Sequence, residues 1–304
     1  MNIIETRNLT HRYWRNEAVR DLSLTVPEGS VFALLGSNGA GKSTTIKMLM
    51  NLLRPSSGDA RVLGVDSRKL GERERALIGY VSENQQLPLW MSVRQLLDYC
   101  RPFYPTWDVA LEKKLLAQFN LPEEQKLKSL SRGMLMKAAL LSSLAYRPKL
   151  LVLDEPFSGL DPLVREELVR GLLEISALGE WSVFISSHDI EEVERLADWV
   201  GVLETGRLRF AESTDQLLGR FRRIDVSLGD ESPRLNDPPL EWLELERKGG
   251  LVRFIATNYD RTETECACRE RFPDAAVEAR PMTLREIFIA LARSNRNQTK
   301  GVSA

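Results

Sequence analysis

The run Gly36-Ser37-Asn38-Gly39-Ala40-Gly41-Lys42-Ser43-Thr44 holds the residue types and spacing best suited to chemistry in this chain. Glycines at 36, 39 and 41 let the main chain curl so that successive N–H groups converge on phosphate oxygens. A helix opening directly after the loop would add the positive partial charge of its N-terminus. Lys42 can then reach the β- and γ-phosphates of a nucleotide, and the Ser43 hydroxyl is placed to ligate a Mg²⁺ that bridges them. Residues Ser37 to Thr44 are therefore the candidate nucleotide contacts. The pattern GxxxxGK[ST] carries this meaning only between a strand and a helix. Both flanks comply: Val31 to Leu35 is an apolar run fit for a buried strand, and Thr45 to Leu53 has helical spacing.

A second group of chemically competent residues stands more than a hundred positions further on. Asp154-Glu155 ends the apolar run Lys149 to Leu153, the pattern of a central strand covered on both faces. Many strands end in carboxylates, but beside a phosphate loop the two would divide the work. Asp154 would hold the Mg²⁺ shell, while Glu155 would orient or deprotonate an attacking water. His188, directly after Ser186-Ser187, could hydrogen-bond the γ-phosphate, although a lone histidine is more often structural. Tyr13, next to Trp14, could stack on an adenine ring or simply pack.

These residues need a frame. Short alternating runs, Ile4 to Leu9 and Arg20 to Val26, read as antiparallel strands closed by Pro27-Glu28-Gly29. Ala60 to Val65 and Ile78 to Ser82 read as further strands. From about residue 88 to 146 helical patterns dominate, with Pro102, Pro105 and Pro122 between them, so a helical insert interrupts the α/β pattern. Strand and helix then alternate again through Lys149 to Leu153, Val164 to Leu178, Ser182 to Ser186 and Ile190 to Ala197, ending in strands at Trp199 to Glu204 and Arg207 to Ala211. In such a sheet the ligand lies at the carboxyl ends of the strands, where every polar residue named above falls.

Near Gly219 the character changes. Residues 219–292 read as a small accessory α+β domain of order β, β, α, β, α, with a proline-rich loop from Pro233 to Pro239, and the polar residues 293–304 read as a disordered tail. The larger α/β part is thus 1–218. With 304 residues and 43% hydrophobic content the chain can build one large domain and a small one. A net charge of −1 argues against a binder of nucleic acid that relies on a basic field. No run reaches the roughly 18 uncharged apolar residues of a membrane span, and the N-terminus lacks the apolar core of a signal peptide, so a cytoplasmic protein is expected. Three cysteines, Cys100, Cys266 and Cys268, form neither a disulfide framework nor a zinc pattern.

Taken together, the motifs resemble those of the ATP-binding subunit of ATP-binding-cassette (ABC) transporters, in order, from about Ile3 to Ala211. Tyr13 is similar to the adenine-stacking aromatic, Gly36 to Thr44 to the Walker A loop, Leu150 to Glu155 to the Walker B strand with its catalytic carboxylate, Ser158-Gly159-Leu160-Asp161 to the D-loop, and His188 to the switch histidine. The resemblance implies a P-loop α/β cassette with a parallel-sheet core, N-terminal antiparallel strands and a helical insert. It also implies ATP and Mg²⁺ as ligands, and two cassettes packed head to tail around two nucleotides. Two positions depart from the commonest pattern. The signature Leu-Ser-Gly-Gly-Gln reads Leu130-Ser131-Arg132-Gly133-Met134; Ser131 and Gly133 are kept, the hydroxyl and N–H that would approach the γ-phosphate in the partner subunit. The Q-loop glutamine is Glu83, whose carboxylate could ligate the metal or its water, with Gln85 or Gln86 as substitutes through a shifted loop. Glu83 is preferred, because some cassette subunits of ABC-2-type exporters carry the same feature.

The resemblance implies an ATPase subunit of a two-component transporter, of exporter type, held peripherally on the inner face of the membrane by a separate permease. A soluble ABC ATPase acting on DNA or ribosomes is the alternative; such proteins carry a coiled coil, zinc insertions or a second cassette, none of which is in this sequence. A kinase would lack the Ser131-Arg132-Gly133 and Ser158 to Asp161 segments. The stretch Leu87 to Trp107, with Trp90, Met91, Tyr99, Phe103, Tyr104 and Trp107, lies where the family receives a helix of the permease. Most of these side chains are expected to fill the insert's core, with Trp90 and Met91 exposed.

Overall fold

A long hairpin opens the chain: β1 (Asn2–Tyr13) runs antiparallel to β2 (Asn16–Pro27). Then come β3 (Val31–Leu35), α1 (Lys42–Leu49), β4 (Ser57–Val62), β5 (Val65–Asp66), the single turn α2 (Glu72–Arg75) and β6 (Ile78–Ser82). The expected single strand over 60–65 is in fact a tight hairpin. Leu63 and Gly64 both have positive φ, 54° and 77°, the combination that a two-residue turn between twisted strands demands. This computed structural model describes residues 1–176, 181–228, 242–272 and 275–301.

The insert supplies α3 (Val93–Cys100), α4 (Val109–Gln118) and α5 (Arg132–Leu144). Each starts at a side chain that accepts a main-chain N–H: Ser92, Asp108 and Ser131. At Ser92 the cap is reciprocal, since Gln95 Oε1 accepts the Ser92 N–H at 2.9 Å. Tyr104 stacks on Tyr146 with 3.7 Å between ring centroids, and Trp107 Nε1 donates to the fully buried Glu112 at 2.7 Å. Tyr104 and Trp107 are half-buried against Tyr146, but Tyr99 and Phe103, expected in the insert's core, are exposed and pack edge-on against each other. Trp90 is 68% exposed as expected, but Met91 is buried, because its N–H donates to Pro88 and its carbonyl accepts from Leu127, folding the loop back on itself.

Beyond the insert the first unit continues through β7 (Leu150–Asp154), α6 (Pro162–Ser176), β8 (Ser182–Ser187), α7 (Ile190–Glu194), β9 (Trp199–Glu204) and β10 (Arg207–Ser213). Two sheets result, β2-β1-β4-β5 and β10-β9-β3-β8-β7-β6. Every residue of β3, β7 and β8 is buried, and these strands pair in parallel, as their unbroken apolar runs require. Each Leu, Phe or Val so buried contributes roughly 1.5–3 kcal/mol, which fixes the strands that end at the candidate site. The order matters: β8 lies between β3 and β7, so Ser186 and Ser187 stand between the glycine loop and Asp154.

The chain divides into Met1–Ala211 and Glu212–Ala304, seven residues earlier than the sequence suggested. The cause is α8 (Thr214–Arg220), capped by Ser213, whose last residue Arg220 pairs with Glu212 and donates to the carbonyl of Thr257 at 2.7 Å. The second unit adds β11 (Arg222–Ser227), β12 (Trp242–Lys248), β13 (Leu251–Ala256), α9 (Arg261–Arg271), β14 (Ala276–Pro281) and α10 (Leu284–Gly301). Its antiparallel sheet, β12-β13-β11-β14, packs Ile224, Val226, Val252 and Phe254 against Cys268 and Phe272. Strand β12 escapes a reading by alternation because a bulge at Glu244, φ 50°, breaks the period of two. Residues 293–301, expected to be disordered, continue α10: a helix nucleated by an apolar first part extends through polar residues at small cost per residue. The proline-rich loop 233–239 lies outside the described residues.

Candidate active site

The glycine loop between β3 and α1 depends on its backbone conformations. Gly39 and Gly41 have φ of 82° and 107°, and a Cβ on Gly41 would collide with the carbonyl of Ala18 on β2. Ser37 and Ala40 close the turn, Ala40 N–H donating to the Ser37 carbonyl at 3.0 Å. Lys42 is buried (4% exposed); its Nζ donates to the carbonyls of Gly36 at 2.6 Å and Ser37 at 3.1 Å, curling the side chain back over the loop.

The carboxylates of the β7 end converge on the same place. Ser43 Oγ donates to Asp154 Oδ1 at 3.0 Å, and Ser186 Oγ on β8 donates to the same oxygen at 2.7 Å. Glu155 Oε1 lies 3.0 Å from Lys42 Nζ, and its Oε2 accepts from His188 Nδ1 at 2.7 Å. Glu155 holds φ at 52°, a left-handed conformation that costs a non-glycine residue about 1–3 kcal/mol. Its N–H reaches Ser186 at both the hydroxyl, 3.1 Å, and the carbonyl, 3.2 Å, which holds the strained turn in place. Its Oε1 is buried without a hydrogen bond. Around these groups opens a cleft of about 460 Å³, into which Asn38, Gly39, Thr44, Glu83 and Ser158 also face.

Sequence-predicted residues thus fall into two sets. Ser43, Asp154, Glu155, Lys42, His188, Glu83 and the loop from Ser37 to Thr44 are brought together. Tyr13, Ser131, Gly133 and Asp161 are not among the residues lining that cleft. Tyr13 sits at the tip of the β1–β2 hairpin, 43% exposed and edge-on to His11, five residues before Ala18, which does line the cleft. Ser131 caps α5, accepting from Met134 N–H at 3.3 Å, and Asp161 caps α6, accepting from Val164 N–H at 3.0 Å. Gly133 has a reason within the chain: a Cβ there would drive into Val164 at the start of α6.

No residue pattern marks Glu192 as part of the site. It is buried at the base of the His188 loop, accepts from Ser187 Oγ at 3.1 Å and ion-pairs with Arg165 at 3.0 Å. Burial pushes its carboxyl up to about 7, Asp189 adds to the rise, and Arg165 opposes it. Ser186, equally unmarked, ties β8 to the Asp154 carboxylate and to the Glu155 main-chain N–H.

A buried lysine curled over a glycine loop, faced by one carboxylate tied to a serine and another tied to a histidine, suits the binding and hydrolysis of a nucleoside triphosphate. The fold and site together define a P-loop nucleoside triphosphatase. Residues 19–158 match the family described as ABC transporter. The ABC transporter ATP-binding protein YtrB of Bacillus subtilis is 29% identical over 95% of this chain and 97% of its own. Nod factor export ATP-binding protein I of Neorhizobium galegae is 31% identical over 95% of this chain and 84% of its own. A solved structure described as the ATP-binding subunit of an ABC transporter superposes with a TM-score of 0.64 at 28% identity, over 71% of this chain and 91% of that one. The chain belongs to the ATP-binding proteins of ABC transporters, and it is an ATPase.

Proposed function

We propose that this ATPase powers export through a separate membrane permease, working as a pair of cassettes with Mg²⁺ at each nucleotide. The observation that carries the catalytic part is Glu155, a carboxylate on a residue of strained backbone, with Oε2 held by His188 and Oε1 held only by the Lys42 ammonium. Once Lys42 moves to the phosphates, Oε1 would be the acceptor a water needs at the γ-phosphate, and His188 holds the other oxygen, so the carboxylate is kept in one orientation. The loop N–H groups and Lys42 would bind the phosphates, with Lys42 leaving Glu155 as it does so.

The residues fit Mg²⁺ as well. Among the described residues no cluster of three acidic, histidine or cysteine side chains forms a metal cage, and Mg²⁺ needs none: it is typically held by one or two carboxylates plus substrate phosphates. Ser43 and Asp154 would hold it, with Glu83, whose N–H donates to the Asp154 carbonyl, facing the same cleft. When bound, the ion neutralises charge on the β- and γ-phosphate oxygens. Ser131 and Gly133, outside their own cleft, would complete the site of a second cassette.

Export is supported by the relative named for Nod factor export, and the transporter names of the relatives favour this reading over one on DNA or ribosomes. Among the described residues no helix is long and apolar enough to cross a membrane, and in this reading a separate permease supplies the pore. Exposed Trp90, Tyr99 and Phe103 on the insert offer it an apolar surface. The decisive experiment is Glu155→Gln assayed with and without a co-expressed permease: ATP should still bind while turnover collapses. Hydrolysis at the wild-type rate would sink the assignment of Glu155, and a permease that transports equally well without the chain would sink the coupling.

A further inference from the structure

Two of the residues that depart from the commonest family pattern, Arg132 and Glu83, are partners. Arg132 Nη2 donates to Glu83 Oε1 at 2.6 Å, joining the loop after β6 to the first residue of α5 across 49 positions of sequence. Glu83 faces two spaces at once, the nucleotide cleft and a neighbouring groove of about 440 Å³ whose wall includes Arg132. Its main chain is pinned, because the Glu83 N–H donates to the Asp154 carbonyl at 3.0 Å. The side chain is therefore the part free to choose between the two spaces, and Arg132 draws it to one of them. Arg132 is itself seated: a Cβ on Gly159, φ 66°, would press into its guanidinium, so the glycine of the 158–161 segment leaves the room it occupies.

We infer that Arg132 is a positioning residue for Glu83, holding that carboxylate away from the metal until the nucleotide draws it in. This rests on the reading of Glu83 as a metal-side group. The exposure of the pair, 50% for Arg132 and 29% for Glu83, gives it the weight of a surface ion pair. That is too little to hold the fold together and enough to bias which partner keeps the carboxylate by about fivefold at most. Release of Glu83 also frees Arg132, which directly follows Ser131, so metal entry in one cleft is coupled to the turn that faces the other cassette.

The test is a Mg²⁺ titration of fluorescent ATP-analogue binding to the full chain carrying Glu155→Gln, which stops hydrolysis. Arg132→Ala should lower the half-saturating Mg²⁺ concentration by about two- to fivefold, whereas Arg132→Lys, which keeps the charge, should stay close to the parent. With Glu83→Gln added, Arg132→Ala should shift nothing further. An equal shift with and without Glu83, or no shift while Glu83→Gln alone moves the titration, overturns the positioning role and leaves Glu83 on the metal. Identical titrations for every variant overturn the reading of Glu83, and the inference with it.

Discussion

Two carboxylates of the first unit, Glu112 and Glu155, are treated in opposite ways. Glu112 in the insert is fully buried and saturated: Arg101 contacts both oxygens at 3.1 and 2.9 Å, Trp107 Nε1 donates at 2.7 Å, and Arg94 stands at 3.5 Å. Glu155 in the cleft sits on a left-handed residue with an oxygen lacking a hydrogen bond. A buried acid with all its acceptor sites filled organises its surroundings and has nothing to offer a substrate. An acid on a strained residue, with one oxygen held only by a lysine that phosphates would draw away, is poised for something that arrives later. The number of partners, more than burial, separates the structural carboxylate from the reactive one.

Substituting both acids tests that separation most severely. Glu155→Gln should lower turnover by about 10²- to 10⁴-fold, the usual worth of general-base assistance, while the unfolding midpoint holds or rises. Stopped-time phosphate release and a thermal melt of the same preparation measure the two. If stability falls with activity, Glu155 is as structural as Glu112 and the contrast fails.

Glu112→Ala should do the reverse. Removing one partner of a buried ion pair costs about 3–5 kcal/mol, and the lower end is expected because Arg94 and Arg101 can turn into solvent. Urea titration should show the loss, and the activity of the protein that remains folded should be near normal. A near-wild-type urea midpoint would mean the cluster is ornamental.

The sequence made Glu155 legible and Glu112 illegible, for a physical reason. A carboxylate pair at the end of an apolar strand stands out against its background, and the glycine loop supplies its partner by pattern alone. Glu112 looks like an ordinary solvated position of a charged helix, and only the approach of Arg94, Arg101 and Trp107 marks it as core. The parallel sheet was readable from the unbroken runs of β3, β7 and β8, because full burial leaves a compositional trace. The Arg132 contact with Glu83 left no such trace, since a surface pair is written in tertiary geometry. The bulge at Glu244 hid β12 by shifting the alternation, and the terminal polar stretch concealed the continuation of α10.

Glu192 is the intermediate case, and it carries the smallest effect. It is buried like Glu112 but has a single pairing cation, Arg165, which Asp189 shares at 3.2 Å. Burial raises its carboxyl from 4.5 to about 7, so between those values the folded chain keeps a proton that the unfolded chain has released. Its contribution to stability is therefore fully present below about 4.5 and is lost as pH rises through about 7. Glu192→Gln cannot titrate. The wild-type melting midpoint should accordingly fall relative to that of Glu192→Gln across this window, and the two should run parallel above it. Because Glu192 accepts from Ser187, the residue before His188, the ATPase of the wild type should share part of the same pH dependence. Melting profiles that stay parallel from pH 4.5 to 7 would mean that Arg165 keeps Glu192 ionised throughout, placing it with the saturated carboxylate of the insert.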